Sequence, residues 1–222
     1  EDGKTVWMKV PGDPRNNYIA RMDWAANSDE IIFQYLNRLQ NRNEVSIGNA
    51  KTGETKIIFT ETDDAWIDIN DDLHWMENGK EFTWVSERDG WRHIYLISKD
   101  GKNVKLITPG KYDVIDIQTI DEKKGLIYFI ASPDNAAQRY LYRISLNGKG
   151  NLERVTPKEF SGSNSYQISD GANYAIHSYS NSDIPSIMNL IKLPEHTIIK
   201  KIVENKKLAE KINSIKRLPT EF

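Results

Sequence analysis

Apolar and polar positions along this chain fall into short runs, with no long helical stripe. Ile31-Ile32-Phe33-Gln34-Tyr35-Leu36, Phe82-Thr83-Trp84-Val85-Ser86, Ile94-Tyr95-Leu96-Ile97, Leu126-Ile127-Tyr128-Phe129-Ile130-Ala131 and Tyr140-Leu141-Tyr142-Arg143-Ile144 are rich in β-branched and aromatic residues. Such runs, bounded by Gly, Asn and Asp, read as strands. The breaks between runs are explicit: Asn78-Gly79, Asp89-Gly90, Asp100-Gly101, Asn147-Gly148 and Asp170-Gly171. Gly, Asn and Asp tolerate the positive φ of tight hairpin turns, so these dipeptides predict antiparallel connections.

The runs recur in a fixed order. A doublet ending in Trp or Ile is followed by an apolar strand, a second apolar strand, a Gly turn and a last strand ending near Ile-Thr-Pro or Val-Thr-Pro. The doublets are Asp23-Trp24, His74-Trp75, Asp116-Ile117 and, more loosely, Gln167-Ile168, while Ile107-Thr108-Pro109 and Val155-Thr156-Pro157 repeat the ending almost to the residue. Four strands recurring about every 40–50 residues is the period of a β-propeller blade. The prediction is an all-β chain: a β-propeller fragment of about four four-stranded antiparallel blades. A β-sandwich also spaces strands closely, but the conserved order inside each unit favours blades. From Val203 the pattern changes, with apolar residues at 203, 208, 209 and 212 among charges, which predicts a short C-terminal amphipathic helix over 203–214 ended by Pro219. The expected organisation is a partial propeller over 1–202 and a helical linker over 203–222. The chain opens on Glu1-Asp2-Gly3 and stops at Phe222, reading as a piece trimmed from a longer protein.

Composition narrows the function. Thirty Lys and Arg against 32 Asp and Glu give a net charge of −2, not the basic excess of a nucleic-acid-binding domain. No run of about 18 apolar residues is present to span a membrane. With no cysteine, disulfides, thiolate catalysis and Cys-ligated zinc are excluded. The four histidines, His74, His93, His177 and His196, show no metal-binding spacing. Neither do the acid clusters Asp63-Asp64, Asp71-Asp72 and Glu87 with Asp89, and no metal or cofactor is expected. No Gly-x-Ser-x-Gly elbow occurs; Ser161-Gly162-Ser163-Asn164-Ser165 reads as a polar, flexible connection. The residues alone describe a non-catalytic repeat domain.

Several stretches resemble a known family. Phe82 to Leu96, with Ser86-Glu87-Arg88-Asp89-Gly90-Trp91-Arg92-His93 at its centre, is similar to a stretch of the dipeptidyl peptidase IV family propeller. Asp23-Trp24-Ala25 leading to Leu36-Asn37-Arg38-Leu39-Gln40-Asn41-Arg42 resembles another, as does Ile107-Thr108-Pro109-Gly110 with Tyr112-Asp113-Val114. The tail from Ile202 to Pro219 resembles the family's linker into an α/β-hydrolase domain. The resemblance implies a secreted or periplasmic serine exopeptidase that removes N-terminal dipeptides with proline or alanine second, its eight-bladed propeller sitting over the hydrolase domain. The elbow serine and the paired glutamates that bind the substrate amine have no counterpart in this sequence, so no catalytic residue is carried over. The implied partners are the hydrolase domain of the same chain and peptide substrates. Four of eight blades would leave apolar faces at each end, so self-association is expected of the fragment, and a homodimer is left open. The alternative reading is a TolB-like binding propeller with protein partners and no peptidase.

One loop stands out as a substrate-channel candidate. Asp64 to Trp75 joins the outer strand of one unit to the inner strand of the next, a connection that reaches the channel face of a propeller. In the family the matching loop carries an aromatic–Arg pair facing the substrate. Here no Arg is present, and Trp66, Asp68 and Asn70 stand in that neighbourhood. The competing expectation is that Trp66 and Ile67 pack between blades and the acids are simply solvated.

Overall fold

The computed structural model describes residues 3–215; Pro219 and the end of the expected linker lie outside them. The chain divides into two compact units, one up to Pro109 and one from Gly110. In the first, β1 (Asn17–Trp24), β2 (Glu30–Asn37), β3 (Arg42–Asn49) and β4 (Thr55–Thr62) form an antiparallel sheet in sequential order. A second sheet follows from β5 (Glu81–Ser86), β6 (His93–Ser98) and β7 (Val104–Leu106). The second unit contains β8 (Val114–Asp121), β9 (Leu126–Ala131), β10 (Tyr140–Ser145) and β11 (Glu153–Arg154) in one sheet. Its other sheet holds β12 (Ser163–Ile168), β13 (Tyr174–Ser180), β14 (Ile187–Lys192) and β15 (Thr197–Val203). Every strand pairs antiparallel with its sequence neighbour, the meander of a propeller blade.

Three of the sheets have the expected four strands; the sheet of β5–β7 has three. Its inner position is filled by the segment Asn70–Trp75, which makes only one bridge, Trp75 to Phe82. Side chains stand in for the missing ladder. Asn70 Nδ2 donates to the Val85 carbonyl at 2.7 Å. Thr83 Oγ1 accepts from His74 N–H and donates to the Asp72 carbonyl. Asn70 thus serves a β5 carbonyl, the Thr83 hydroxyl serves backbone groups of the Asn70–Trp75 segment, and the Thr83 N–H bonds to the His74 carbonyl at 2.9 Å, so the two are joined without a regular fourth strand.

β2 and β5 are buried on both faces. Five successive residues of β2, Ile32 to Leu36, and of β5, Phe82 to Ser86, are buried. The reason is that both surfaces of such a sheet meet apolar partners. In the first unit Ala25, Ile32, Val45, Phe82, Trp84, Tyr95 and Ile97 form the core, with Phe59 edge-on to Trp84 at 5.0 Å between ring centroids. In the second unit Tyr128, Ile130, Leu141, Val155, Tyr166, Ala175 and Ile191 do the same.

The hairpin at Asp100-Gly101 needs glycine: Gly101 has φ +74°, and a Cβ there would lie 2.0 Å from the Ile58 carbonyl oxygen. Asp170-Gly171 forms a single 3₁₀ turn, Asp170–Ala172, between β12 and β13. The expected C-terminal helix is α1 (Lys206–Asn213), which buries no residue. Val203 closes β15 instead of opening the helix, because it pairs with Met188. The Ser161–Ser165 stretch is also more ordered than its composition implied. Ser163, Asn164 and Ser165 lie in β12, and Asn164 is 2% exposed.

Candidate functional site

After β4 the chain turns through Asp63, whose carboxylate accepts from the backbone N–H groups of Ala65 and Trp66, an Asx-type turn set by the residue itself. Ile67 is buried and its N–H bonds to the Gln40 carbonyl at 2.7 Å. This pins the loop and leaves Trp66 on one side, 53% exposed, with Asp68 beside it. The Trp66 indole N–H donates to Asp68 Oδ1 at 3.0 Å. The structure therefore separates the expected pair: Ile67 packs, while Trp66 stays at the surface.

Asn70 differs from its neighbours. It is 7% exposed. Besides its bond to Val85, its Oδ1 accepts from Asp72 N–H at 3.0 Å, and its backbone exchanges two hydrogen bonds with the Gln34 side chain. Gln34 is in β2 and Val85 in β5, so Asn70 ties the two sheets of this unit together. It lines two hollows at once, of about 60 Å³ and 120 Å³, and forms part of the wall of each.

The smaller hollow brings together all three candidates, Trp66, Asp68 and Asn70, with residues that the sequence did not mark as part of a site: Glu61, Ser86, Arg88 and Arg92. Glu61, at the end of β4, has only 10% of its side chain exposed. It accepts from the Trp84 indole N–H at 2.6 Å and from the Ser86 hydroxyl. Ser86 Oγ in turn accepts from the backbone N–H and Nε of Arg88. The Arg88 guanidinium lies 4.9 Å from the Tyr95 ring centroid and 3.8 Å from Glu61. Burial, with a hydrogen bond to Asp89 second, pushes the Tyr95 phenol up to about 12, so it stays neutral at physiological pH. Arg92 donates to Asp72 at 3.1 Å. The arginines absent from the loop thus reach the same hollow from the turn between β5 and β6. They were present in the sequence as part of the Ser86–His93 motif, but only packing places that turn beside Trp66.

The charge balance follows from these pairings. Arg88 is engaged with Glu61 and Arg92 with Asp72, whereas Asp63, Asp68 and Glu87 line the hollow from exposed positions. The opening is acidic over an ion-paired floor. Such an arrangement attracts a cationic or amine-bearing group and disfavours an acidic one. Among the described residues no group of three His, Cys, Asp or Glu is placed to hold a metal.

Comparison with known proteins agrees with this architecture. The family model described as the dipeptidyl peptidase IV (DPP IV) N-terminal region matches residues 1–186. The dipeptidyl peptidase 4 of Trichophyton rubrum is 30% identical over 97% of this chain and 28% of its own length. A probable dipeptidyl-aminopeptidase B of Emericella nidulans is 27% identical over 100% of this chain and 26% of its own. The crystal structure of Porphyromonas gingivalis dipeptidyl peptidase 4 superposes with a TM-score of 0.84 at 25% identity, covering 97% of this chain and 30% of that one. The chain therefore spans less than a third of the length of these relatives. It belongs to the dipeptidyl peptidase IV family and represents part of that family's N-terminal β-propeller region.

Proposed function

We propose that this chain is the non-catalytic propeller portion of a dipeptidyl-peptidase-IV-like serine exopeptidase, and that it lines and gates the approach of peptide substrates. The parent protein would remove N-terminal dipeptides with proline or alanine second, in the periplasm or outside the cell. Its α/β-hydrolase domain would supply the chemistry. The observation that carries the reading is the hollow under Trp66 and Asp68, an acid-rimmed site on a blade-connecting loop in a member of this family. Loops on a rigid β scaffold are where binding residues gather. Family membership favours this reading over a TolB-like binding propeller.

In this role the propeller performs no bond-breaking step. Trp66 offers an apolar ring face to a passing peptide. Asp68 and Asp63 offer negative charge to a basic side chain or free amine. Glu61, Ser86 and Asn70 fix the wall on which these groups stand. The test compares the full-length protein with the 222-residue chain on a Gly-Pro chromogenic substrate and on the same substrate with its amine acetylated. Hydrolysis of the free-amine substrate only, and only by the full-length protein, is the expected outcome. Cleavage of the blocked substrate, or turnover by the short chain that is lost on mutating one of its serines, contradicts the reading.

A further inference from the structure

The second unit buries two histidines in one aromatic box. His177, on β13, is 0% exposed, and His196, in the turn between β14 and β15, is 5% exposed. Their ring centroids are 4.6 Å apart at 76°. Phe160 sits edge-on to His177 at 4.9 Å and tilted to His196 at 5.3 Å, while Tyr166 stacks on His177 at 4.7 Å. The Nδ1 atoms of both histidines are buried without a hydrogen-bond partner.

The surrounding bonds define which protons the box accepts. Asn164 donates its amide to the Arg139 and Phe160 carbonyls, both at 2.9 Å. Its Oδ1 is therefore what meets His177 Nε2 at 2.8 Å, so Nε2 carries the proton and Nδ1 is a bare lone pair. On the other side, Leu141 N–H donates to Thr156 Oγ1, Thr156 meets the Tyr166 hydroxyl at 2.8 Å, and Tyr166 meets His196 Nε2 at 3.0 Å. With each hydroxyl donating onward, the chain ends on Nε2 as acceptor. A proton on that nitrogen reverses the chain and strands the hydroxyl proton of Thr156. Neutral, the pair leaves its two Nδ1 positions unpaired; a further proton on His177 adds a buried N–H with no acceptor, and one on His196 adds charge while reversing the hydroxyl chain.

We propose that the His177–His196 pair is an acid-release latch: neutral, it holds the β14–β15 turn on the sheet; protonated, it frees that turn together with β15 and the helix that follows. His196 sits at φ +55°, in the left-handed region that is uncommon for a residue with a Cβ and carries a modest conformational cost. The ring contacts constrain the turn together with buried Leu193, whose N–H bonds to the Asn173 carbonyl at 2.8 Å. β15 adds no buried side chain, all seven of its residues being exposed, and α1 buries none; apart from the turn, β15 is held by its backbone ladder to β14.

The groups facing the pair from each neighbouring element give little shelter to a cation. Tyr166 on β12, Tyr179 on β13 and Phe160 before β12 offer ring faces or edges. Glu159 is the one carboxylate that favours a charged His196, and Arg154 acts on Tyr166 from behind. Burial outweighs these, lowering His196, and takes His177 down to about 3, with the charge of His196 as the second cause. Both folded-state values lie below the unfolded one. The stabilisation is therefore fully present above about pH 6.5 and is lost as pH falls from there toward about 3.

The test is hydrogen exchange by mass spectrometry on the full-length protein at about pH 7.5 and about pH 4.5, corrected for the intrinsic pH dependence. Peptides covering 187–213 should exchange roughly ten-fold faster or more at the lower pH, while those covering β1–β4 change by less than about two-fold. His177→Gln with His196→Gln, which keep a polar atom near each Nε2 but cannot take the proton, should abolish the acid response. An unchanged wild type, or a response that persists in the double variant, overturns the latch. If the variant does not fold, imidazole NMR of the wild type decides instead. Both rings staying neutral until the turn opens supports the latch, and either ring titrating near about 6.5 inside an intact sheet overturns it.

Discussion

Replacing Asn70 by alanine isolates what the wall of the candidate site is made of. The change deletes the donor to the Val85 carbonyl at 2.7 Å and the acceptor of Asp72 N–H at 3.0 Å. Val85 is 8% exposed, so its carbonyl loses its partner with little water to replace it, at a cost of about 1–3 kcal/mol. The Asp72 bond is only half-buried and contributes about 0.5–1.5 kcal/mol. The expected loss is about 2–4 kcal/mol, or roughly 5–15 °C in Tm if the chain unfolds cooperatively. Asn70→Asp provides the sharper comparison. It keeps the acceptor for Asp72 but sets a carboxylate oxygen against the Val85 carbonyl, so it should destabilise at least as much as alanine. Urea unfolding followed by tryptophan fluorescence measures both. A loss below about 0.5 kcal/mol for both variants would refute the tie between the two sheets and return Asn70 to a direct substrate contact.

Two further outcomes follow from the same unit. Gly101→Ala should lower stability by about 1–3 kcal/mol in urea titration, because the residue keeps a positive φ and its Cβ would collide with the Ile58 carbonyl; an unchanged midpoint would mean the hairpin re-routes freely. Thr83→Val preserves shape but removes the hydroxyl that serves His74 N–H and the Asp72 carbonyl, and should cost about 1–3 kcal/mol; a neutral result would show that the three-stranded sheet does not depend on this substitute for a strand.

The strands were legible because β-branched and aromatic runs between Asn-Gly and Asp-Gly pairs have few other uses. The fourth strand of the second sheet was not. His74-Trp75 looks like Asp23-Trp24 in sequence, yet β1 runs to Trp24 whereas Trp75 makes a single bridge. The difference is that the Asn70 and Thr83 side chains join β5 to the Asn70–Trp75 segment in place of a regular ladder, which no local pattern reveals. In the candidate site, Trp66, Asp68 and Asn70 could be found because they share one loop. Glu61, Ser86 and Arg88 come from different elements and meet only when β4 packs beside β5. His196 and Asn164 were hidden for another reason: both are polar residues in polar-looking stretches, and only burial gives them a role.

The central claim is that this propeller wall meets the substrate, and Asp68 tests it most directly. Asp68 is exposed on the hollow, and its one described hydrogen bond is the one it accepts from the Trp66 indole, so removing its charge should leave the fold intact. In the full-length enzyme, Asp68→Ala should raise KM for extended basic peptides by about three- to ten-fold, the scale of one partly screened charge contact, while kcat and the kinetics of a bare dipeptide chromogen stay unchanged. Equal kinetics for both substrates in variant and wild type would contradict the account and leave the loop with a structural role alone.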